Sequence, residues 1–190
     1  QIKPSYYKQK NFKPNEVKIK KILKQPSEKK IYSVKDYVVY PKHGVGKIVA
    51  VERAKIGNID INFYKVFIEK EKLTLSIPLN QQSHLRPVSS INQINKAISI
   101  LKGKPKIKRT MWSRRAQEYE QKINSGDLIA IAEVVRDLHR NDEQREQSYS
   151  ERQLYEAALE RLTREVAVVD GVEEIQAQKK VDQVLDTRAA

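Results

Sequence analysis

Between residues 34 and 87 the apolar positions alternate with polar ones in short runs, which is the period of β-strands. The alternation changes phase at residues 63–64, which predicts a bulge or a strong bend there. Four or five short strands joined by tight turns predict a small antiparallel barrel. The runs occupy residues 38–40, 47–51, 59–68 and 73–77, and Gly57 with Asn58 marks a turn.

From residue 90 onward the apolar positions follow helical spacing. Ser90, with Gln93 three residues later, has the pattern of a capping box, and Gly103 ends that helix. The fold class is therefore α+β, with a compact all-helical domain after the β domain. Further helices are predicted from about residue 110 to 124, from 127 to 140, from Ser150 as a cap to Gly171, and from Asp170 and Glu173 to about residue 185.

The first 30 residues differ from the rest in composition. They carry ten lysines against two glutamates and lack sustained periodicity, so we expect a basic flexible extension with a short helix near residues 17–23. An inert solvated tail and an arm that binds nucleic acid both fit this composition. The chain then divides into the extension at 1–30, a β domain at 31–88 and a helical domain at 89–190.

The 190 residues carry a net charge of +13, which indicates a polyanionic partner, with nucleic acid first. A chain that is basic only for solubility is the alternative. Cysteine is absent, which excludes disulfides and thiol chemistry. Because no apolar run reaches membrane length and no secretory pattern is visible, we expect a cytoplasmic protein without membrane contact.

The single tryptophan, Trp112, lies in the densest run of positive charge, residues 102–115, which contains no acidic residue. An aromatic ring framed by phosphate-seeking side chains predicts a protein that holds the DNA backbone and presses a wedge against the bases. Trp112 also falls in helical register with Tyr119 and Ile123, so a place in a helix-bundle core is the alternative. The cations of the run are Lys102, Lys104, Lys106, Lys108, Arg109, Arg114 and Arg115.

The sequence contains no recognisable catalytic or metal-binding pattern. The three histidines are scattered, without the spacing of a metal site. Acidic residues on the helices alternate with basic ones, as in Glu133, Arg136 and Asp137, which indicates a solvated, ion-paired face. We therefore expect neither an enzyme nor a bound cofactor or metal.

Four ordered stretches resemble the CarD family of bacterial transcription regulators. The first also resembles the polymerase-interacting module of transcription-repair coupling factors. The resemblance covers residues 31–185 and implies a Tudor-like barrel that docks on the RNA polymerase β subunit. It also implies a helical domain at the upstream edge of the promoter bubble, where a tryptophan enters the minor groove and favours the open complex. The stretches are 36–46 (DYVVYPKHGVG), 112–115 (WSRR), 125–128 (SGDL) and 132–138 (AEVVRDL), and 150–158 resembles the family's penultimate helix.

The resemblance assigns DNA-binding roles to particular residues. Trp112 matches the wedge, Arg114 and Arg115 match its basic flank, and Arg152 matches a basic position on a later helix. We expect Lys108 and Arg109, from the same basic run, to belong to this set. The implied protein is a monomer that acts on promoter DNA in the nucleoid.

The polymerase-facing positions are assigned in the same way. Two positions that are basic in actinobacterial members fall here at Ala54 and Ser76, and the neighbouring cations Arg53 and Lys55 are their expected substitutes. The expected polymerase-binding set is therefore Arg53, Lys55, Ile56 and Ser76.

Two other functions fit parts of the sequence. The first is an architectural DNA-binding protein without sequence preference or a polymerase partner. The second is an RNA-binding, Tudor-like or KOW-like ribosome factor, for which RNA would compete as well as duplex DNA does.

Overall fold

In the computed structural model, which describes residues 29–141 and 143–188, the β domain is one five-stranded antiparallel sheet. The strands are β1 (Tyr37–Tyr40), β2 (Gly44–Ile56), β3 (Ile59–Ile68), β4 (Leu73–Pro78) and β5 (Arg86–Pro87). Their order in the sheet is β4-β3-β2-β1-β5. The predicted turn at Gly57–Asn58 joins β2 to β3, and Gly57 adopts a positive φ of 61° there. The α+β class is confirmed, and the sheet is open, because its edge strands β4 and β5 do not pair with each other in the described residues.

The irregularity of the sheet lies in β2. The register between β2 and β3 shifts between Ile48 and Ala50, which leaves Val49 as an extra residue on β2. The prediction of a bulge or bend at residues 63–64 placed it in the wrong strand. The alternation of apolar positions in β3 changes phase for another reason. On the core face of β3, burial begins only at Tyr64, whereas Phe63 lies on the other face and is half-buried.

The core of the sheet lies on one face and is closed by a 3-10 helix, Leu79–His84. Tyr64 is completely buried at its centre. Its hydroxyl donates to Gln82 Oε1 (3.0 Å) and accepts from the backbone N–H of Ile31 (3.1 Å). The segment before β1 is thereby held across the core face. The buried members are Val38, Ile48, Tyr64, Val66, Ile68, Ile77, Leu79 and Leu85.

In the described part of the chain five α-helices follow the sheet, and their ends test the predicted caps. Ser90 caps the first helix in the predicted capping box with Gln93. The cap predicted at Ser150 was wrong. Ser148 caps the fourth helix instead, because its side chain accepts the N–H of Glu151, and the helix begins at the residue after Ser148. Asp170 is the last residue of that helix rather than the start of the next. The helices are α1 (Ile91–Leu101), α2 (Trp112–Asn124), α3 (Leu128–Leu138), α4 (Tyr149–Asp170) and α5 (Glu174–Thr187).

The helices share one apolar core, to which α4 contributes Ala158, Leu162 and Val166. None of the helices in the described ranges combines the length and apolar character that a membrane crossing requires. The predicted extension at residues 1–30 lies outside the described residues except for its last two. The most deeply buried side chains of the helical core include Ile94, Leu101, Val134, Leu138, Leu162, Val166, Val181 and Leu185.

A buried ion pair joins the sheet to the helices. The Arg86 guanidinium, on β5, donates to both carboxylate oxygens of Glu165 on α4, at 2.5 and 3.0 Å. The Glu165 side chain is 3% exposed. Its Oε1 also accepts from the backbone N–H and hydroxyl of Ser89. A carboxylate removed from water in this way needs such partners, so the sheet and helices are held in one orientation.

A second contact joins the β1–β2 turn to the helices. Arg161, on α4, donates to the carbonyl oxygens of Pro41 (2.9 Å), Lys42 and Ile123 (2.7 Å). Burial lowers the pKa of its guanidinium from the usual value. Gly126 has a positive φ of 72°, and a Cβ there would lie 2.8 Å from Pro41 Cα. The family-like stretches at 36–46 and 125–128 therefore meet at this joint.

Candidate nucleic-acid interface

The indole of Trp112 lies at the edge of the helical core, at the start of α2. The ring is half-buried and packs against the core, and its centroid is 6.3 Å from that of Tyr119. Its Nε1–H donates to Ser150 Oγ at 3.0 Å. The core alternative therefore holds in part, and the wedge role of Trp112 stays a prediction.

The bond between Trp112 and Ser150 brings two helix N-termini together. Trp112 is the first residue of α2, and Ser150 lies in the first turn of α4, which Ser148 caps. The residue that precedes each of these two is large and exposed: Met111, before Trp112, is 79% exposed, and Tyr149, before Ser150, is 77% exposed. We refer to residues 111–115 and 148–153 together as the α2/α4 edge.

Replacing Ser150 with alanine should release the indole edge. The chain has one tryptophan, so its fluorescence reports on Trp112 alone. We expect the emission maximum to shift and the free energy of unfolding to fall by about 0.5–1.5 kcal/mol, because one hydrogen bond is lost. Ser150→Thr, which keeps the hydroxyl, is the control. Emission unchanged in the alanine variant would contradict a role for this bond in holding the ring.

Arg115 differs from the other cations expected at DNA. Its guanidinium lies 5.5 Å from the Trp112 ring centroid and 5.7 Å from that of Tyr119, and it donates to the Tyr119 hydroxyl at 3.2 Å. Arg114 and Arg109, by contrast, are exposed. Arg115 therefore supports the ring by cation–π contact as well as adding charge to its flank.

The remaining expected DNA contacts lie in solvent. The Lys108 side chain is 69% exposed and pairs with Glu118 at 3.1 Å. That of Arg152 is 70% exposed and lies 3.8 Å from Glu156 on the next turn. Exposed pairs of this kind are weak, at about 0–1 kcal/mol, so both cations can exchange partners for phosphates.

A buried aspartate fixes the basic segment between α1 and α2. Asp137 Oδ1 accepts from the backbone N–H of Lys106 (2.9 Å) and from Arg136 Nε (2.8 Å). Asp137 is 4% exposed and Arg136 is 8% exposed, so the prediction of a solvated face was wrong for both. Glu133 pairs instead with Lys122. The helical spacing of charges did not distinguish a buried pair from an exposed one.

The expected polymerase-binding residues are divided between two faces of the sheet. Side chains alternate along a strand, so Arg53 and Lys55 face away from Ala54 and Ile56. The register Ala54↔Ile61 and Lys65↔Ser76 places Ser76 on the Ala54 side. Arg53 pairs with Asp60 at 2.6 Å on the opposite face. The face with Ala54, Ile56 and Ser76, which is opposite the core, is called the outer face below.

Lys65 on the outer face was missed by sequence reasoning. It lies directly across from Ser76, and its Nζ donates to Ser76 Oγ at 2.7 Å. Nζ is also 3.7 Å from Glu52. Only the pairing register of β3 with β4 could have located this cation beside Ser76, because eleven positions separate the two in sequence.

Comparison with known proteins finds a family match for the β domain and another for the helical domain. Residues 32–89 match the family model described as CarD-like/TRCF RID domain, and residues 96–182 match the CarD C-terminal domain. One relative is the YdeB protein of Bacillus subtilis (strain 168), whose name assigns it provisionally to the transcription factors. It is 29% identical over 148 residues, which cover 77% of this chain and 97% of YdeB.

Proposed function

Because this chain belongs to the CarD family of transcription regulators, we propose that it docks on RNA polymerase through its sheet and acts on promoter DNA through its helices. The match of residues 32–89 to a module shared with transcription-repair coupling factors supports a polymerase partner. The partner surface in this proposal is the β subunit, and the DNA target is the upstream edge of the open bubble.

The observation that carries the DNA half of the proposal is the position of Trp112. An indole held at the α2/α4 edge, with Arg109, Arg114 and Arg152 exposed in the segments around it, combines phosphate contacts with a ring for an unstacked base step. Stacking of one base on an aromatic ring is worth about 1–3 kcal/mol. That range changes an equilibrium between closed and open promoter by up to roughly a hundredfold, without chemistry.

The docking half of the proposal rests on the outer face of the sheet. Ser76 lies on the edge strand β4, whose outer backbone groups pair with no described strand, and Lys65 lies beside it. An edge strand can add to the sheet of a partner, and a cation beside it favours an acidic partner surface. Docking raises the local concentration of the α2/α4 edge at the bubble, so weak DNA affinity is sufficient.

Charge reversal on the two faces of the sheet tests this docking surface. We expect Lys65→Glu to weaken polymerase binding and to shorten the lifetime of open complexes formed with the full chain. Arg53→Glu is the matched control, since it reverses a charge on the opposite face of the same hairpin and should have the smaller effect. DNA binding by the polymerase-free protein should be unchanged in both.

The opposite result would revise the proposal. If Arg53→Glu abolished polymerase binding and Lys65→Glu did not, the core-side face of the hairpin would be the dock. If the wild-type chain left the open-complex lifetime unchanged on a responsive promoter, the function itself would be contradicted.

A further inference from the structure

We propose that Tyr149 is a second aromatic contact with DNA, beside Trp112. The inference rests on the proposed function, because it assigns a further residue to the same DNA-binding edge. It is argued from the first turns of α4.

Tyr149 belongs to the turn that holds the indole. It is the first residue of α4, and the next residue, Ser150, accepts the hydrogen bond from Trp112 Nε1. Adjacent side chains leave a helix about 100° apart, so the phenol does not lie on the Ser150 side of α4. It lies instead at the same end of the helix and points into solvent, with 77% of the residue exposed.

Tyr149 shares a helix face with an exposed cation. Residues three and four apart lie side by side on a helix, so Tyr149, Arg152 and Gln153 form one face. The Arg152 side chain is 70% exposed. A ring beside an exposed guanidinium is the combination that single-stranded and unstacked nucleic acids bind, with the cation on the phosphate and the ring on the base or sugar.

The phenol hydroxyl has a hydrogen-bond partner on the same helix face. Gln153 Nε2 donates to the Tyr149 hydroxyl oxygen at 2.7 Å. The hydroxyl hydrogen is then available to donate to a further acceptor. A·T base pairs present two acceptors in the minor groove, adenine N3 and thymine O2, so the same tyrosine can pack its ring and donate a hydrogen bond there.

The acidic residue in the first turn of α4 is directed elsewhere. Glu151 Oε2 lies 3.9 Å from Arg140, and its side chain is 23% exposed. Glu156 lies near Arg152 and can be displaced by a phosphate, since both are solvent-exposed. The surface around Tyr149 is therefore compatible with a polyanion.

The test compares Tyr149→Ala with Trp112→Ala in the full chain, by fluorescence anisotropy with a labelled forked duplex and a fully paired duplex. We expect Tyr149→Ala to weaken binding to the forked duplex at least about fivefold, the lower end for loss of one stacked base. Ile175→Ala is the matched control: Ile175 is 66% exposed but lies near the opposite end of α4, about 30 Å away.

Tyr149→Phe and thermal unfolding complete the test. Tyr149→Ala should unfold at the wild-type temperature because the side chain is exposed, and Tyr149→Phe should retain most of the affinity because the ring is kept. If the phenylalanine variant binds as weakly as the alanine variant, the ring makes no contact and the inference is overturned. It is also overturned if Trp112→Ala weakens binding and Tyr149→Ala does not, a result that leaves the proposed function standing. Failure of the wild-type chain to bind either duplex even at about 1 mM protein, the effective concentration that a short tether supplies, would overturn both.

Discussion

Replacing Glu165 with alanine should lower the free energy of unfolding by about 1.5–3 kcal/mol, the range for hydrogen bonds to a charged group, since Glu165 is buried whereas the Arg86 side chain is 29% exposed. The substitution leaves Arg86 without its bidentate partner and removes the acceptor for both polar groups of Ser89. Equilibrium unfolding in urea measures the loss. Because Arg86 comes from the sheet and Glu165 from α4, we also expect the sheet and helices to lose their fixed orientation.

Glu156→Ala is the matched control for this experiment. Glu156 lies on the same helix, but its side chain is 68% exposed and its ion pair with Arg152 is long. Its replacement should change the free energy of unfolding by less than about 1 kcal/mol. A loss of similar size in the two variants would mean that the Arg86–Glu165 pair does not stabilise the joint.

Replacing Trp112 with alanine should shorten the open-complex lifetime by about fivefold to 150-fold, the equivalent of the 1–3 kcal/mol for one stacked base. The change in stability must be measured beside it, because the ring also packs on the helical core. A half-buried ring should cost less on removal than the 3–5 kcal/mol of a fully buried aromatic. Measuring the open-complex lifetime and urea unfolding on the same variant separates the role of the ring at DNA from its role in the core.

Two outcomes would contradict the assignment of Trp112. An unchanged lifetime would remove the ring from the bubble edge. A loss of 3–5 kcal/mol in the free energy of unfolding would identify a core residue, and any shorter lifetime would then follow from unfolding. Ile175→Ala, an exposed apolar residue on α5, should leave both measurements unchanged.

Local signals in the sequence were sufficient for most elements of the fold. Alternation and turn residues located the strands, and the Ser90 capping box located the start of α1. The start of α4 was misplaced because Ser148 and Ser150 are both hydroxyl residues that can cap a helix. Ser150 instead accepts a hydrogen bond from the indole of Trp112, which is 38 positions away in sequence. No pattern over a few residues contains that information.

Sequence reasoning missed the residues whose contacts join parts of the molecule that are distant in sequence. Arg86 and Glu165 are 79 positions apart, and nothing near either residue indicates the other. Lys65 was missed because its place beside Ser76 depends on strand register. Arg53 and Lys55 were expected to replace a charge at Ala54, but adjacent residues of a strand project to opposite faces.

The Arg86–Glu165 joint has a consequence for the effect of ionic strength. Salt screens charges that lie in water over about 8 Å at physiological ionic strength and over about 3 Å at 1 M, but it acts much less on a buried or partly buried pair. The cations of the α2/α4 edge are in water, and each phosphate contact adds about 0.9 to the slope of log affinity against log salt. Concentrated salt should therefore detach the protein from DNA without loosening it internally. On dilution, recapture would require no refolding, and its rate would be raised by electrostatic attraction.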